Sequence, residues 1–201
     1  MKCERLFFVI FLASVFLFTI LDLEATGGTA RTELEKMGYT YNESSFVDSA
    51  KKGDINAVKL FLEEGMDINA VNQRGQTALI RAAEYQRTEV VNLLLEKGAD
   101  LELIGERHAR TALMEAASAG NIVIIKKLVE KGANINAKDY EGSTPLHCAC
   151  MWGHVEAVRL LIELGAKPDT PAVLGRTPMT LAESNGHTEI VQILKDAGAK
   201  R

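Results

Sequence analysis

Residues 142–166 read GSTPLHCACMWGHVEAVRLLIELGA, and the reading of this stretch decides the fold. Thr144 followed by Pro145 has the chemistry of a helix start. The hydroxyl oxygen accepts from an otherwise unpaired backbone N–H, and a proline at the first helical position gives up a donor that has no use there while bringing a suitable φ. The short run to Trp152 is broken at Gly153. A second amphipathic run follows, with Val158, Leu161 and Ile162 on one face. Gly165 then suits the left-handed position that closes many helices. The stretch therefore spells helix, tight turn, helix and stop.

The same order recurs along the chain. Gly65, Gly98, Gly132, Gly165 and Gly198 follow successive amphipathic runs at steps of 33, 34, 33 and 33 residues. Hydroxyl residues keep the same steps at Ser44, Thr77, Thr111, Thr144 and Thr177, as do large apolar residues at Phe46, Leu79, Leu113, Leu146 and Met179. The hydroxyls are expected N-caps, with Pro145 and Pro178 just inside. Small residues at Ala50, Ala83, Ala117 and Cys150 allow a short first helix to pack closely. In the second copy Val90, Val91, Leu94 and Leu95 give the second helix a wide apolar face. A helix pair of this size cannot bury both faces alone, so copies must stack, and at least three are needed. In the last copy Lys195 replaces the apolar Leu62, Leu95, Val129 and Ile162 of earlier copies, and Glu183 replaces the small residue. Both charges predict that no further unit packs there.

The stretch Gly142, Ser143, Thr144, Pro145, Leu146, His147, with Gly153, His154, Gly165 and Ala166, resembles the ankyrin repeat. So does the last copy, with Thr177, Pro178, Gly186, His187, Gly198 and Ala199. The resemblance runs from about Tyr41 to the end of the sequence. It implies an all-α solenoid of about five helix-turn-helix units with hairpin-like loops, near residues 41–71, 72–104, 105–138, 139–171 and 172–201. It also implies a binding scaffold for another protein, acting as a monomer, without a cofactor. Carried onto this sequence, the partner-facing positions are Arg74 and Gln76 with Glu84 and Tyr85, then Tyr140, Glu141, Met151 and Trp152, and finally Leu174, Arg176 and Asn185. Trp152 stands out as the only tryptophan, of a type favoured at interface hot spots. Its alternative is packing beneath the next loop.

Three regions depart from the pattern. The first copy has Ser44, Ser45, Phe46 and Val47 in place of the full signature, then Lys51 and Lys52 before Gly53, and reads as an N-terminal cap. Residues 26–40 form a linker in which Thr29 to Met37 suits a short helix stopped by Gly38, either packed on that cap or serving as a tether. The 34-residue step puts one extra residue between Gly98 and Thr111, and Ala109 stands where other loops carry Gly75, Gly142 and Gly175. Alanine disfavours positive φ, so this turn is expected to take another shape, using Gly105. Its charged residues, Glu102, Glu106, Arg107, His108 and Arg110, suit either a partner contact or a tolerated surface insertion.

Lys2 and Arg5 precede an uncharged apolar run from Leu6 to Leu21, followed by Asp22, Glu24 and small residues. This is the form of a signal peptide over residues 1–25, or of an uncleaved anchor, although the run is shorter than the roughly 20 residues that span a bilayer. Either reading leaves the repeats outside the cytosol, periplasmic, secreted or membrane-anchored, because the positive residues precede the run. With the repeats, it suggests an exported protein of bacterial type. Twenty-seven acidic against 23 basic residues give a net charge of −4, which disfavours a general nucleic-acid role. Cys148 and Cys150 point about 200° apart on a helix and are not expected to bridge. Together with His147, Met151 and His154 they offer soft ligands for copper or zinc, the basis of an alternative metal-handling reading. The sequence contains no nucleophile–base pattern, metal triad or phosphate-cradling loop, so no enzymatic activity is expected.

Overall fold

The computed structural model describes residues 29–105 and 109–199. The expected leader over 1–25 and the loop residues Glu106, Arg107 and His108 lie outside them. A short helix α1, over residues 29–36, precedes five helix pairs among the described residues. The pairs are α2 (Glu43–Lys52) with α3 (Ile55–Glu63), α4 (Ala78–Glu84) with α5 (Thr88–Glu96), α6 (Ala112–Ser118) with α7 (Ile122–Glu130), α8 (Pro145–Trp152) with α9 (Val155–Glu163), and α10 (Pro178–Ser184) with α11 (Thr188–Asp196).

The caps explain where the first helices begin. Thr77, Thr111 and Thr177 accept from the backbone N–H three residues on, and prolines open α8 and α10. At Thr144 the backbone N–H donates to His147 Nδ1 at 3.1 Å, and the hydroxyl lies 2.9 Å from the same nitrogen. The first pair corrects the expected register, because its N-cap is Asn42 and not Ser44. Asn42 Oδ1 accepts from Ser45 N at 2.8 Å, since an amide oxygen caps as well as a hydroxyl, and Ser44 falls inside α2.

First helices pack side by side in one row and second helices in another. Between them a single apolar cluster runs from Leu34 to Leu194. Phe46, Leu79, Leu113, Leu146 and Met179 are all buried in it, as are Ala50, Ala83, Ala117 and Cys150. Glu183 and Lys195 are exposed on the last pair. At the other end α1 packs on the first pair and does not stand away as a tether. Leu34 is fully buried, and Gly38 turns the chain with φ +85°. Phe61 is ringed by Tyr39, Tyr41 and Phe46 at centroid distances of 6.1, 5.8 and 5.7 Å. Arg31 Nε donates to Glu64 Oε2 at 2.9 Å, tying α1 to the end of α3.

Hairpin loops join the pairs. Asn72 N donates to Gln76 O at 3.0 Å and Asp139 N to Ser143 O at 3.0 Å, closing two of them. The carboxamide or carboxylate of the same residue holds each tip. Asn72 Oδ1 accepts from Arg74 N and Gln76 N, and Asp139 Oδ1 from Glu141 N and Ser143 N. In the lengthened loop Gly105 N donates to Arg110 O at 3.2 Å and Ala109 N to Gly105 O at 2.9 Å. The turn does take another shape and uses Gly105, since Ala109 N bonds four residues back where Gly75, Gly142 and Gly175 bond three back, but the positive φ is not avoided. Ala109 itself takes φ +53°, while Gly105 keeps an ordinary φ. The left-handed tip is retained at a cost of about 1–2 kcal/mol for a residue with a Cβ, which the packing around buried Ala109 must offset.

Candidate functional site

The open side of the array is built from the first helices and the loops. Four residues beyond the cap register lie Asp48, Arg81, Glu115, Cys148 and Leu181. The row is charged in the first three repeats and apolar in the last two. Along the charged part runs a trough of about 740 Å³, from Lys51 past Arg81 and Tyr85 to Arg110 and Glu115. Arg81 is buried, ion-paired with Glu84, and its guanidinium lies 4.7 Å from the Tyr85 ring centroid. Lys51 Nζ lies 5.1 Å from the same ring. Burial pushes the Glu115 carboxyl above the usual carboxylate range, against the pull of Arg110. Arg110 stands between Glu115 at 3.8 Å and Asp139 at 3.9 Å. Gln76 Oε1 and Arg110 Nε are buried without a hydrogen-bond partner.

A second contact set fixes how repeats abut. Arg87 Nε donates to Lys51 O at 2.9 Å, His154 Nε2 lies 2.9 Å from Ser118 O, and His187 Nε2 lies 3.3 Å from Met151 O. Each side chain reaches back to the end of the preceding first helix. There a Cβ on Gly120 would sit 2.6 Å from the His154 ring and one on Gly153 2.6 Å from the His187 ring. The third repeat breaks the rule, because Asn121 caps its own helix by accepting from Ile124 N. No ring fills the space behind it, and the matching turn position is Gln86, left-handed at φ +58° with a full side chain.

The partner-facing residues expected from the sequence fall into separate groups. Arg74, Gln76 and Tyr85 line the trough, Arg74 and Tyr85 exposed and Gln76 half-buried. Arg110 lines it too, but as a strut between neighbouring loops and not as a free contact. Glu141 and Arg176 pair with each other at 2.8 Å across adjacent loops. Tyr140 is 69% exposed, Leu174 91% and Trp152 60%, so the tryptophan is not packed beneath the next loop. Met151 is half-buried, and exposed Asn185 donates from Nδ2 to Leu181 O at 2.8 Å. Arg107 and His108 lie outside the described residues. Glu102 is a strut, accepting from Asn134 N at 2.8 Å. Sequence reasoning missed Arg81, Glu115 and Lys51 as parts of the open face. For Arg81 and Glu115 the signal was a charge at a position that is apolar in repeats four and five.

A family model described as ankyrin repeats (3 copies) matches residues 46–139, 102–172 and 138–200. The chain belongs to the ankyrin-repeat family. Among curated relatives, this ankyrin-repeat protein is 38% identical over 58 residues to the putative ankyrin repeat protein YahD of Escherichia coli (strain K12), covering 29% of each chain. It is 42% identical over 84 residues to the human B-cell lymphoma 3 protein, covering 42% of this chain and 18% of that one. It is 38% identical over 76 residues to the mouse 2-5A-dependent ribonuclease, covering 37% of this chain and 10% of that one. The chain thus spans between 10% and 29% of the length of these relatives. Repeats of this family imply a protein-binding scaffold and are typically non-catalytic. The ribonuclease activity named for the mouse protein belongs to that protein.

The residues of the metal-handling alternative are engaged within the fold. His147 is fully buried, and because Nδ1 receives the Thr144 N–H, Nε2 carries the proton and meets Arg176 O at 3.3 Å. Burial lowers its pKa, keeping the ring neutral and bonded at both nitrogens. His154 is held against Ser118 O. Burial pushes the Cys148 thiol up to about 11 and the Cys150 thiol up to about 12, which holds both as neutral thiols in the packed core. Both cysteines are free and buried. Among the described residues no group of three or more His, Cys, Asp or Glu is placed to hold a metal.

Proposed function

We propose that this ankyrin-repeat protein is a rigid recognition surface for another protein, acting outside the cytosol through its loop tips and the open face of its first helices. The observation that carries the reading is the exposure of Trp152 at the end of α8, with Tyr140 and Leu174 on adjacent loops. Large apolar side chains held on a packed scaffold lose little conformational freedom on binding, which favours them as anchors. Loop tips tied by Asp139 and by the Glu141–Arg176 pair present that surface without prior ordering.

Export rests on the leader-like residues 1–25 and their charge order. Fractionation of cells expressing the full chain should recover the repeats in the medium, the periplasm or on the outer side of the membrane, whereas recovery with the cytosol would overturn export. For recognition, immobilised protein is offered the exported fraction of its own cells, and captured proteins are quantified beside those taken by Trp152→Ala. A hot-spot loss of about 2 kcal/mol predicts roughly 30-fold less of any specific partner. An unchanged catch from both Trp152→Ala and Tyr140→Ala would remove this surface from consideration.

A further inference from the structure

Resting on the scaffold reading, we infer that the trough across the first three repeats docks an extended, Asp- and Glu-rich segment of a partner protein. Charge complementarity carries the assignment. Of the carboxylates lining it, Glu84 is paired with Arg81 and Glu115 with Arg110, while Asp48, in the adjoining hollow, is paired with Lys52. Lys51 and Arg74 line the same trough and form no ion pair among the described residues. The surface therefore offers two unmatched cations on a chain whose net charge is −4. Both favour an anionic segment at this place.

Three further features fit an extended backbone better than a globular face. Gln76 and Arg110 form one edge of the trough, with Arg110 fixed between Glu115 and Asp139, so a bound segment meets a preformed edge. Tyr85, beside Lys51 and Arg81, supplies an aromatic floor next to the cations. The departures from the repeat pattern also converge here: Gln86 and Ala109 in left-handed backbone and the lengthened loop all flank the junction of repeats two and three. Three parallel helices at roughly 8–10 Å spacing cover about 20 Å, the length of about six or seven extended residues.

The test uses the intact chain and a fluorescein-labelled peptide of about ten residues with alternating Glu and Ser, read by anisotropy. Binding should weaken about tenfold with Lys51→Glu or Arg74→Glu, and severalfold between about 50 and about 300 mM salt. The exposed α7 variant Lys126→Glu and the variant Trp152→Ala should leave it unchanged, with circular dichroism confirming that every variant is folded. A Lys/Ser peptide should not bind. Absence of binding by the Glu peptide, indifference to both charge reversals, or tighter binding of a thymidine oligonucleotide would each overturn the assignment. If the Glu peptide fails while Trp152→Ala still loses its captured partner, the scaffold reading stands and the trough alone is rejected. The opposite pattern rejects the Trp152 surface and keeps the trough.

Discussion

The junction between repeats two and three differs from those between repeats three and four and between four and five. In the later junctions an imidazole reaches back to the preceding first helix, and the glycine beneath it is required twice over. His154 occupies the space a Gly120 Cβ would need, His187 that of a Gly153 Cβ, and both glycines have positive φ. At the second junction Asn121 turns inward to cap α7, the space empties, and Gln86 is accommodated. The glycine belongs to one repeat and its reason to the next. Two repeats with the same helices can thus be joined with or without a fitted side chain over the turn. The junction without one also carries the lengthened loop and the two unpartnered buried polar atoms.

The largest expected effect comes from breaking a fitted junction. Gly153→Ala places a Cβ 2.6 Å from the His187 ring in left-handed backbone and should cost about 2–4 kcal/mol in urea unfolding. Gln86→Ala, with no such neighbour, should stay within about 0.5 kcal/mol. Equal costs would abolish the distinction. Next, Asn121→His should be poorly tolerated beside Gln86 and better tolerated beside Gln86→Gly. A double-mutant cycle should therefore give a favourable coupling of about 0.5–2 kcal/mol, and a value near zero would show that the residues do not share the space.

A smaller effect is expected at the lengthened loop. Ala109→Gly relieves the left-handed strain at φ +53° but adds backbone freedom to the unfolded chain, and should raise stability by at most about 1 kcal/mol. A loss would mean that packing of the buried methyl outweighs the strain. The mildest test is acid. Burial holds the His147 pKa below its ordinary 6.5, so the unfolded chain takes up a proton that the folded ring resists. Its contribution is full above pH 6.5 and declines as pH falls toward the folded pKa. Unfolding midpoints measured from neutral pH downward should fall more steeply for the native chain than for His147→Gln. Parallel profiles would mean that this ring does not carry the pH dependence.

Much of this was legible in advance. The period in Gly65 to Gly198, the hydroxyl caps and the apolar register specified five helix pairs, because capping and amphipathicity are local properties. The first cap was misplaced at Ser44 because Asn42 does the same chemistry two residues earlier. The positive φ at Ala109 was not expected because propensity speaks for an isolated residue and not for its place in a turn. Arg110 and Arg176 looked like free contacts, and only the adjacent repeat revealed Asp139 and Glu141 beside them.

By itself the sequence determined that helical hairpins stack and, the first cap apart, where each begins and stops. Those outcomes depend on residues within a few positions of one another. Which charges are matched, which glycines are obligatory and where an open trough remains were decided only in the tertiary structure. Each depends on a side chain about one repeat away, such as His187 over Gly153 or Arg110 near Asp139, and only stacking brings such pairs within contact distance.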